Sequence, residues 1–313
     1  MYLASLRDIG LLTREGEVEL VDGEGGEAPV TGDLAGVPFG RRRELIGLVT
    51  AVRPDDGAER ADGHVLRRTG RILPPEYRLD GERLALARWL ADYHALQLGE
   101  VVPLFHPPQP GTKARSSRTE SPAFPLSDQI DVELNEAQRA AVTEALGQLE
   151  TGDYACLLLH GVTGSGKTEV FLRIMEETLA RGRSALYLLP EIALTPQTLA
   201  RITKRFGDTA AALHSALPAG ERCRVHEAAA RGEIRVVVGP RSALFAPLRD
   251  LGVVVVDEEH ESSYKQEDKP RYHARHAALI RAREAGALAL LGSATPDLGS
   301  WHNALRGRYR TLS

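Results

Sequence analysis

Apolar and polar positions in the second half of the chain alternate between short buried-strand patterns and longer helical patterns. Helix-length segments separate most of the short apolar runs. From about Asp131 onward, this alternation predicts a mostly parallel, doubly wound sheet that binds ligands at the carboxyl ends of its strands. The runs that predict buried strands are Ala155 to His160, Ala185 to Leu189, Ala210 to His214, Ile234 to Val238, Val253 to Val256, and Leu288 to Gly292.

The first 106 residues show a different pattern, with short extended segments and one good helix. Glu17 to Val21 and Leu45 to Val52 are typical of strands, and the glycine- and acid-rich stretch 22–40 is typical of loops. A helix is predicted over Glu82 to Leu96. Its expected buried stripe consists of Leu86, Trp89, Leu90 and Tyr93.

Between these two regions the chain is rich in proline, serine and arginine and has no apolar periodicity. Residues 107–128 contain five prolines, a composition typical of an exposed linker. The sequence therefore predicts a small domain over 1–106, a linker over 107–130 and a larger α/β domain over 131–313. The expected fold class is α/β, with the parallel-sheet lobe preceded by a small mixed α+β domain.

The strongest chemical signal is LLLHGVTGSGKT, residues 157–168, where an apolar run leads directly into a glycine-rich loop. It satisfies the pattern G-x-x-x-x-G-K-[ST] and a helical segment follows it. In such a loop the backbone N–H groups cradle phosphates, the lysine reaches the β/γ-phosphates and the hydroxyl ligates Mg²⁺. The sequence therefore predicts ATP and Mg²⁺ binding by Gly161, Val162, Thr163, Gly164, Ser165, Gly166, Lys167 and Thr168.

A second acidic signal follows about ninety residues later, after the valine run 253–256. The run ends in Asp257-Glu258-Glu259-His260. A carboxylate at the end of a buried strand beside a phosphate loop can hold the magnesium shell, which is the role expected of Asp257. Glu258 is then placed to polarise the attacking water. Lys167, Asp257 and Glu258 are the predicted catalytic residues.

Composition narrows the possible partners without identifying one. The net charge of −4 gives no global basicity, so any nucleic-acid contact must use a local patch. The two cysteines, Cys156 and Cys223, lie far apart and can form neither a disulfide framework nor a zinc site. There is no run of 18 apolar residues, so neither a membrane span nor secretion is predicted, and the expected location is the cytoplasm.

Several further motifs, together and in order, closely resemble the primosomal protein N′ (PriA) family, superfamily 2 DNA helicases of bacterial replication restart. The resemblance covers roughly residues 132–313. Weaker support comes from residues 37–49 and 91–94, which look like that family's 3′-end DNA-binding domain. The motifs that carry the resemblance are LPEIALTPQ at 189–197, GPRSALFAP at 239–247, DEEHESSYKQ at 257–266, PRYHAR at 270–275 and GSATP at 292–296.

The resemblance implies a RecA-like motor lobe and specific residue roles. Gln138 would contact adenine. The segment 264–275 resembles the family's aromatic-rich loop, where Tyr faces stack on bases and Lys or Arg meet phosphates. The implied DNA-binding residues are Thr195, Gln197, Arg241, Ser242, Tyr264, Lys265, Arg271, Tyr272 and Arg275. The implied coupling residues between the two sites are His260, Ser293 and Thr295.

These motifs are relevant to three functions. The resemblance implies an ATP-dependent 3′-to-5′ helicase that recognises stalled forks and loads the primosome. Its implied partners are branched and single-stranded DNA, primosome proteins and single-stranded DNA-binding protein. The 313 residues lack motifs of the family's second motor lobe, so this chain alone is expected to hydrolyse ATP weakly and not to unwind DNA. The alternative is an ATP- and DNA-binding recruitment module. A transport-type ATPase is disfavoured because its signature is not found.

Overall fold

The computed structural model describes residues 2–8, 17–21, 29–39, 43–54, 67–68, 72–107 and 133–312. The chain divides into two compact units, Met1–His106 and Pro107–Ser313. Most of the predicted linker, residues 108–130, lies outside the described residues. No helix in the described ranges is long and apolar enough to cross a membrane.

The first unit contains a five-stranded sheet in the order β3-β4-β1-β2-β5. Its pairings are antiparallel except for the parallel pair of β2 and β5. Strands β2 and β4 include the two predicted extended segments. Strand β3, by contrast, lies in the stretch 22–40 that is predicted as loop, because its sequence LAGVPF contains Gly36 and Pro38, which are typical of loops. The strands are β1 Tyr2–Asp8, β2 Glu17–Val21, β3 Leu34–Phe39, β4 Arg43–Pro54 and β5 Arg67–Arg68.

The main helix of this unit, α1 (Gly81–Tyr93), begins at the N-cap Asp80, whose side chain accepts a hydrogen bond from the Arg83 N–H. A short helix, α2 (Leu98–Val101), follows. The prediction that α1 buries Tyr93 is wrong, because that side chain is 65% exposed. Leu86 and Leu90 are buried as predicted, and Leu84, Ala87 and Ala91 complete the apolar part of the buried face. Trp89 is half-buried on the flank of that face, where its ring stacks on Tyr93 with centroids 4.9 Å apart.

The second unit contains a seven-stranded sheet in the order β14-β6-β13-β10-β7-β9-β8, with every pairing parallel. This arrangement confirms the predicted α/β class. All six predicted strands are present, and β14 adds an edge strand that the sequence did not predict. The strands are β6 Ala155–His160, β7 Ser184–Leu188, β8 Ala210–Ala212, β9 Val236–Gly239, β10 Leu251–Val256, β13 Leu288–Ser293 and β14 Arg310–Leu312. A separate two-stranded ribbon pairs β11 Lys265–Gln266 with β12 Tyr272–His273.

In the described part of the second unit, six α-helices accompany this sheet and enclose an apolar core. The central strands are buried along their whole length, as the valine run of β10 predicts for a parallel sheet covered on both faces. The first helix begins with a capping box between Asn135 and Gln138 and ends at Gly152 in the left-handed region. The helices are α3 Glu136–Thr151, α4 Lys167–Ala180, α5 Pro196–Phe206, α6 Ala219–Arg231, α7 Ala274–Glu284 and α8 Leu298–Leu305.

The strand order brings every motif of the second unit to one edge of the sheet. Because the strands are parallel, the segments that follow β6, β13, β10, β7 and β9 all leave from the same edge. The phosphate-loop sequence follows β6, GSATP ends β13, and DEEH follows β10. The LTPQ and GPRS segments follow β7 and β9, on the other side of β10. The carboxyl ends of the strands therefore lead into both the predicted nucleotide-binding residues and the predicted DNA-binding residues.

Candidate functional site

The glycine-rich loop joins β6 directly to α4. Gly164 and Gly166 have φ values of 82° and 84°, a left-handed conformation that glycine adopts without strain. A Cβ on Gly166 would also collide with the side-chain amide of Gln138. These two glycines thus permit the tight turn that places Lys167 at the first position of α4.

Lys167 is held against the loop that precedes it. Its Nζ donates hydrogen bonds to the carbonyl oxygens of Gly161 at 2.8 Å and Val162 at 3.4 Å. The side chain is only 8% exposed, and its Nζ lies 3.8 Å from Oε1 of Glu258. A desolvated ammonium at a helix N-terminus beside backbone N–H groups can bind a phosphate anion.

Gln138 reaches the same loop from α3. Its Nε2 donates to the carbonyl oxygen of Ser165 at 2.8 Å, and its Oε1 accepts from the Asn135 N–H at 2.9 Å. The predicted adenine contact must therefore use the remaining N–H and lone pair of an amide that already braces the phosphate loop.

Asp257 follows β10 at the centre of the sheet edge, and both of its carboxylate oxygens are oriented by donors. Oδ2 accepts from the Tyr187 hydroxyl at 2.8 Å, and Oδ1 accepts from the Glu258 N–H at 3.0 Å. Burial raises the pKa of Asp257 above its usual value, while the hydrogen bond from Tyr187 acts in the opposite direction. The Thr168 side chain hydrogen bonds to the same phenol. Thr168 and Asp257 thus share Tyr187 as a hydrogen-bond partner, and both carry oxygen donors of the kind Mg²⁺ prefers.

The metal assignment depends on these few oxygen donors. Across the described ranges, no group of three or more His, Cys, Asp or Glu side chains comes together as metal ligands. Mg²⁺ usually keeps several waters and takes one or two protein carboxylates together with substrate phosphates. The donor set of Thr168 and Asp257 fits that mode of binding.

Glu258 adopts a backbone conformation that is rare for residues other than glycine, with φ of 44°. Such conformations cost free energy and persist where surrounding structure enforces them. The carboxylate of Glu258 lies 3.8 Å from the Lys167 Nζ through one oxygen and 3.8 Å from the His260 Nδ1 through the other. Its side chain is 32% exposed, so a water molecule can reach it.

The three predicted coupling residues lie close together. The Ser293 hydroxyl and the His260 Nδ1 are 2.8 Å apart, and the Thr295 N–H donates to the same hydroxyl at 3.0 Å. The carbonyl oxygen of Ser293 accepts from the Gly161 N–H at 3.2 Å. The GSATP segment therefore contacts both the DEEH segment and the start of the phosphate loop.

Five of the predicted DNA-binding residues are exposed: Thr195, Gln197, Ser242, Lys265 and Arg271. Thr195 also caps α5, since its hydroxyl accepts from the Thr198 N–H at 3.2 Å. Arg241 is half-buried and donates to the carbonyl oxygens of Ser263 at 3.2 Å and Lys265 at 2.9 Å. Arg241 thus fixes the segment around Lys265 beside the end of β9.

The expected base-stacking role of the two loop tyrosines conflicts with where the structure places them. Tyr264 is 1% exposed, and its hydroxyl donates to the carbonyl oxygen of Asp257 at 2.7 Å. Tyr272 is 4% exposed and packs edge-on against Phe245, with ring centroids 5.3 Å apart. Both rings are core residues here, because the ribbon of β11 and β12 folds back onto the lobe.

Arg275 also differs from its expected role as a phosphate contact. It is 6% exposed and donates to the buried carboxylate of Glu259 at 2.5 Å and to Asp297 at 3.1 Å. Glu259 is fully buried and also accepts from the Asp297 N–H at 2.7 Å and the Ser300 hydroxyl at 2.8 Å. This network ties the DEEH segment to the starts of α7 and α8.

Sequence reasoning missed Glu259, Glu169 and Tyr187. Glu169 is 3% exposed and pairs with Arg205 at 2.6 Å and Arg201 at 2.7 Å. It thereby joins α4, which follows the phosphate loop, to α5, which begins at Pro196 within LTPQ. The sequence does contain a signal for this pairing. Glu169 directly follows the GKT of the phosphate loop, and Arg201 and Arg205 lie four residues apart on the next helix. Tyr187 sits inside an apolar strand and gave no signal.

Comparison with known proteins places these features in a family. The DEAD/DEAH box helicase family matches residues 135–302, and the 3′DNA-binding domain of PriA matches residues 21–107. The replication restart protein PriA of Bacillus subtilis is 49% identical over 180 residues, 58% of this chain and 22% of the relative. That of Treponema pallidum is 40% identical over 277 residues, 88% of this chain and 41% of the relative.

The chain thus spans about a fifth to two fifths of the length of these curated relatives. Among solved structures, RecG bound to a three-way DNA junction is similar with a TM-score of 0.45 and 23% identity. That similarity covers 58% of this chain and 24% of the RecG chain.

Proposed function

Because the chain belongs to the DEAD/DEAH box helicase family and, within it, to the PriA family of replication restart proteins, we propose that it contains an ATP-driven DNA motor lobe. One observation carries the proposal. The phosphate loop follows β6, whereas the exposed DNA-binding candidates Thr195, Gln197 and Ser242 follow β7 and β9. These strands lie on opposite sides of β10, which is followed by Asp257 and Glu258. Nucleotide and DNA would therefore be bound on either side of one acidic segment.

In this function each residue of the nucleotide site has a distinct role. Lys167 would neutralise the β/γ-phosphates, and the backbone N–H groups of 161–166 would cradle them. Thr168 and Asp257 would hold Mg²⁺, which supplies neutralisation of the charge that develops on the phosphates. Glu258 would orient the attacking water from its place beside Lys167. Gln138 would contact adenine.

DNA binding would be transmitted to this site through the segment that follows DEEH. Arg241 contacts the backbone of Ser263 and Lys265, and Tyr264 between them contacts the backbone of Asp257. A DNA strand bound by Arg241, Ser242, Lys265 and Arg271 would therefore shift the segment 263–265. The Tyr264 side chain connects this segment to the backbone of Asp257. His260, Ser293 and Thr295 would carry the change onward to the phosphate loop.

The wider role follows from the family. The proposed division is a 3′-end DNA-binding domain over 1–106, a linker over 107–130 and the motor lobe over 131–313. We propose 3′-to-5′ translocation, recognition of stalled and branched forks, and loading of the primosome. Single-stranded DNA-binding protein and primosome proteins would be the partners.

The logarithm of the association constant for single-stranded DNA is expected to fall linearly with the logarithm of the salt concentration. We call the slope of this line the salt slope. The reason is that Lys265 and Arg271 are exposed cations at the proposed DNA face. Replacing either with alanine should reduce the magnitude of the salt slope by about 0.7, the value for one phosphate contact on single-stranded DNA. Fluorescence anisotropy with a labelled oligonucleotide at several salt concentrations measures both effects.

The matched control for these variants is Lys204→Ala, an exposed lysine near the carboxyl end of α5, whereas the proposed DNA contacts of α5 lie at its amino end. It should leave the salt slope unchanged. If Lys204→Ala changed the slope as much as Lys265→Ala, binding would be diffuse and the proposed DNA face would be wrong.

A further expectation concerns residues 1–313 purified on their own. The described residues of the second unit form one phosphate-loop lobe, and in this family an arginine from the second motor lobe completes the ATP cleft. We therefore expect slow ATP hydrolysis and no strand separation by these residues alone. Phosphate release and displacement of a strand from a 3′-tailed fork test this expectation. DNA-stimulated turnover that Glu258→Gln abolishes, or any unwinding, would contradict it. DNA and ATP binding without turnover would favour the recruitment role.

A further inference from the structure

Between the phosphate loop and the DEEH segment lies a tyrosine that belongs to no motif. Tyr187 is in β7 and is 1% exposed. Its ring packs edge-on against Phe171 of α4, with centroids 6.2 Å apart. Its hydroxyl donates to the Asp257 Oδ2 at 2.8 Å, and a side-chain hydrogen bond joins it to Thr168. One phenol therefore contacts both residues that would hold magnesium.

Packing alone does not account for this hydroxyl. The residues beside it in β7, Leu186 and Leu188, are fully buried and apolar, as expected for a central parallel strand. A phenylalanine would make the same edge-on contact with Phe171 without a polar atom in the core. Burying a hydroxyl costs free energy unless it is hydrogen-bonded. Here its partner is the carboxylate at the end of the neighbouring strand β10.

We propose that Tyr187 is a positioning residue of the magnesium site, whose buried hydroxyl holds the Asp257 carboxylate in the orientation that accepts the ion. This inference rests on the proposed roles of Asp257 and Thr168. The Tyr187 hydroxyl donates to Oδ2 while the Glu258 N–H donates to Oδ1, so both carboxylate oxygens are restrained. Each oxygen keeps a second lone pair for the magnesium shell.

Removal of this hydroxyl should weaken magnesium binding selectively. Outer partners that orient metal ligands typically contribute 10- to 100-fold to metal affinity. Tyr187→Phe should therefore raise the Mg²⁺ concentration needed for half-maximal binding of a fluorescent ATP analogue by about 10-fold or more. Affinity for the analogue in EDTA should stay at the wild-type value, because the phosphate loop and Lys167 are untouched.

The experiment is a Mg²⁺ titration of nucleotide binding, with thermal unfolding in EDTA to show that each variant is folded. Tyr154→Phe is the matched control, since it removes a half-buried phenol from the segment before β6. Tyr187→Leu, which copies the neighbouring strand residues, tests loss of the same hydroxyl if phenylalanine is not tolerated. Both Tyr187 variants should shift the Mg²⁺ requirement in the same direction.

The outcomes separate this inference from the function it rests on. If wild-type binding of the analogue does not respond to Mg²⁺, the proposed magnesium site itself is wrong. If the wild type responds and Tyr187→Phe has the same Mg²⁺ requirement, the positioning role is overturned and the proposed function stands. If the variant needs less Mg²⁺ than the wild type, the phenol competes with the ion, which also overturns the inference.

Discussion

Lys167→Ala is expected to weaken binding of a fluorescent ATP analogue by about 10- to 100-fold, because the lysine supplies the charged side-chain donor for the phosphates. Hydrogen bonds to charged groups contribute about 1.5–3 kcal/mol each. The ammonium already lies at the loop, held by the Gly161 and Val162 carbonyl oxygens. Its removal would leave those oxygens and the Glu258 carboxylate facing the phosphates uncompensated.

Equilibrium titration monitored by anisotropy measures this loss. Lys269→Ala is a suitable control, because that lysine is exposed and lies in the turn between β11 and β12. It should bind the analogue like the wild type. Thermal unfolding shows whether Lys167→Ala is folded, and equal affinities for a folded Lys167→Ala variant and the wild type would contradict the nucleotide-site assignment.

The parallel sheet of the second unit could be predicted almost completely, because a strand buried on both faces must be apolar along its length. β6 has the predicted bounds Ala155–His160, and β10 begins two residues before the valine run, at Leu251. The glycine-rich loop could be predicted equally well, since its conformation requires particular residue types at fixed spacing. β14 was missed because Arg310–Leu312 is short and two of its three residues are polar.

The side-chain roles after DEEH were less predictable. Tyr264, Tyr272 and Arg275 have the chemistry of a nucleic-acid surface, and a local pattern cannot show whether a ribbon lies open or folds onto the lobe. The structure buries all three. Tyr93 is the converse case: helical spacing predicts it in the core, whereas smaller residues such as Ala87 and Ala91 contribute to the buried face of α1. In each case tertiary packing decides which face is covered.

Arg275→Ala is expected to lower the free energy of unfolding of the second unit by about 3–5 kcal/mol, the cost of leaving a buried charge without its partner. The Glu259 side chain is 0% exposed and Arg275 is 7% exposed, with 2.5 Å between the paired atoms. Loss of the guanidinium would leave that carboxylate buried with only the Asp297 N–H and the Ser300 hydroxyl. Urea denaturation of wild type and variant gives the difference.

A double-mutant cycle with Glu259→Gln isolates the ion pair, because glutamine keeps an acceptor for the Asp297 N–H and carries no charge. The loss of unfolding free energy in the double variant should be smaller than the sum of the losses in the two single variants. For residues in direct contact we expect the difference to be about 1 kcal/mol or more. Arg283→Ala is the control, since its pair with Glu284 is solvent-exposed and exposed pairs contribute about 0–1 kcal/mol. Arg275→Ala should also leave the salt slope of DNA binding unchanged at temperatures where it is folded. If the Arg275→Ala variant were as stable as the wild type and had a smaller salt slope, Arg275 would have the DNA-binding role that its sequence motif predicts.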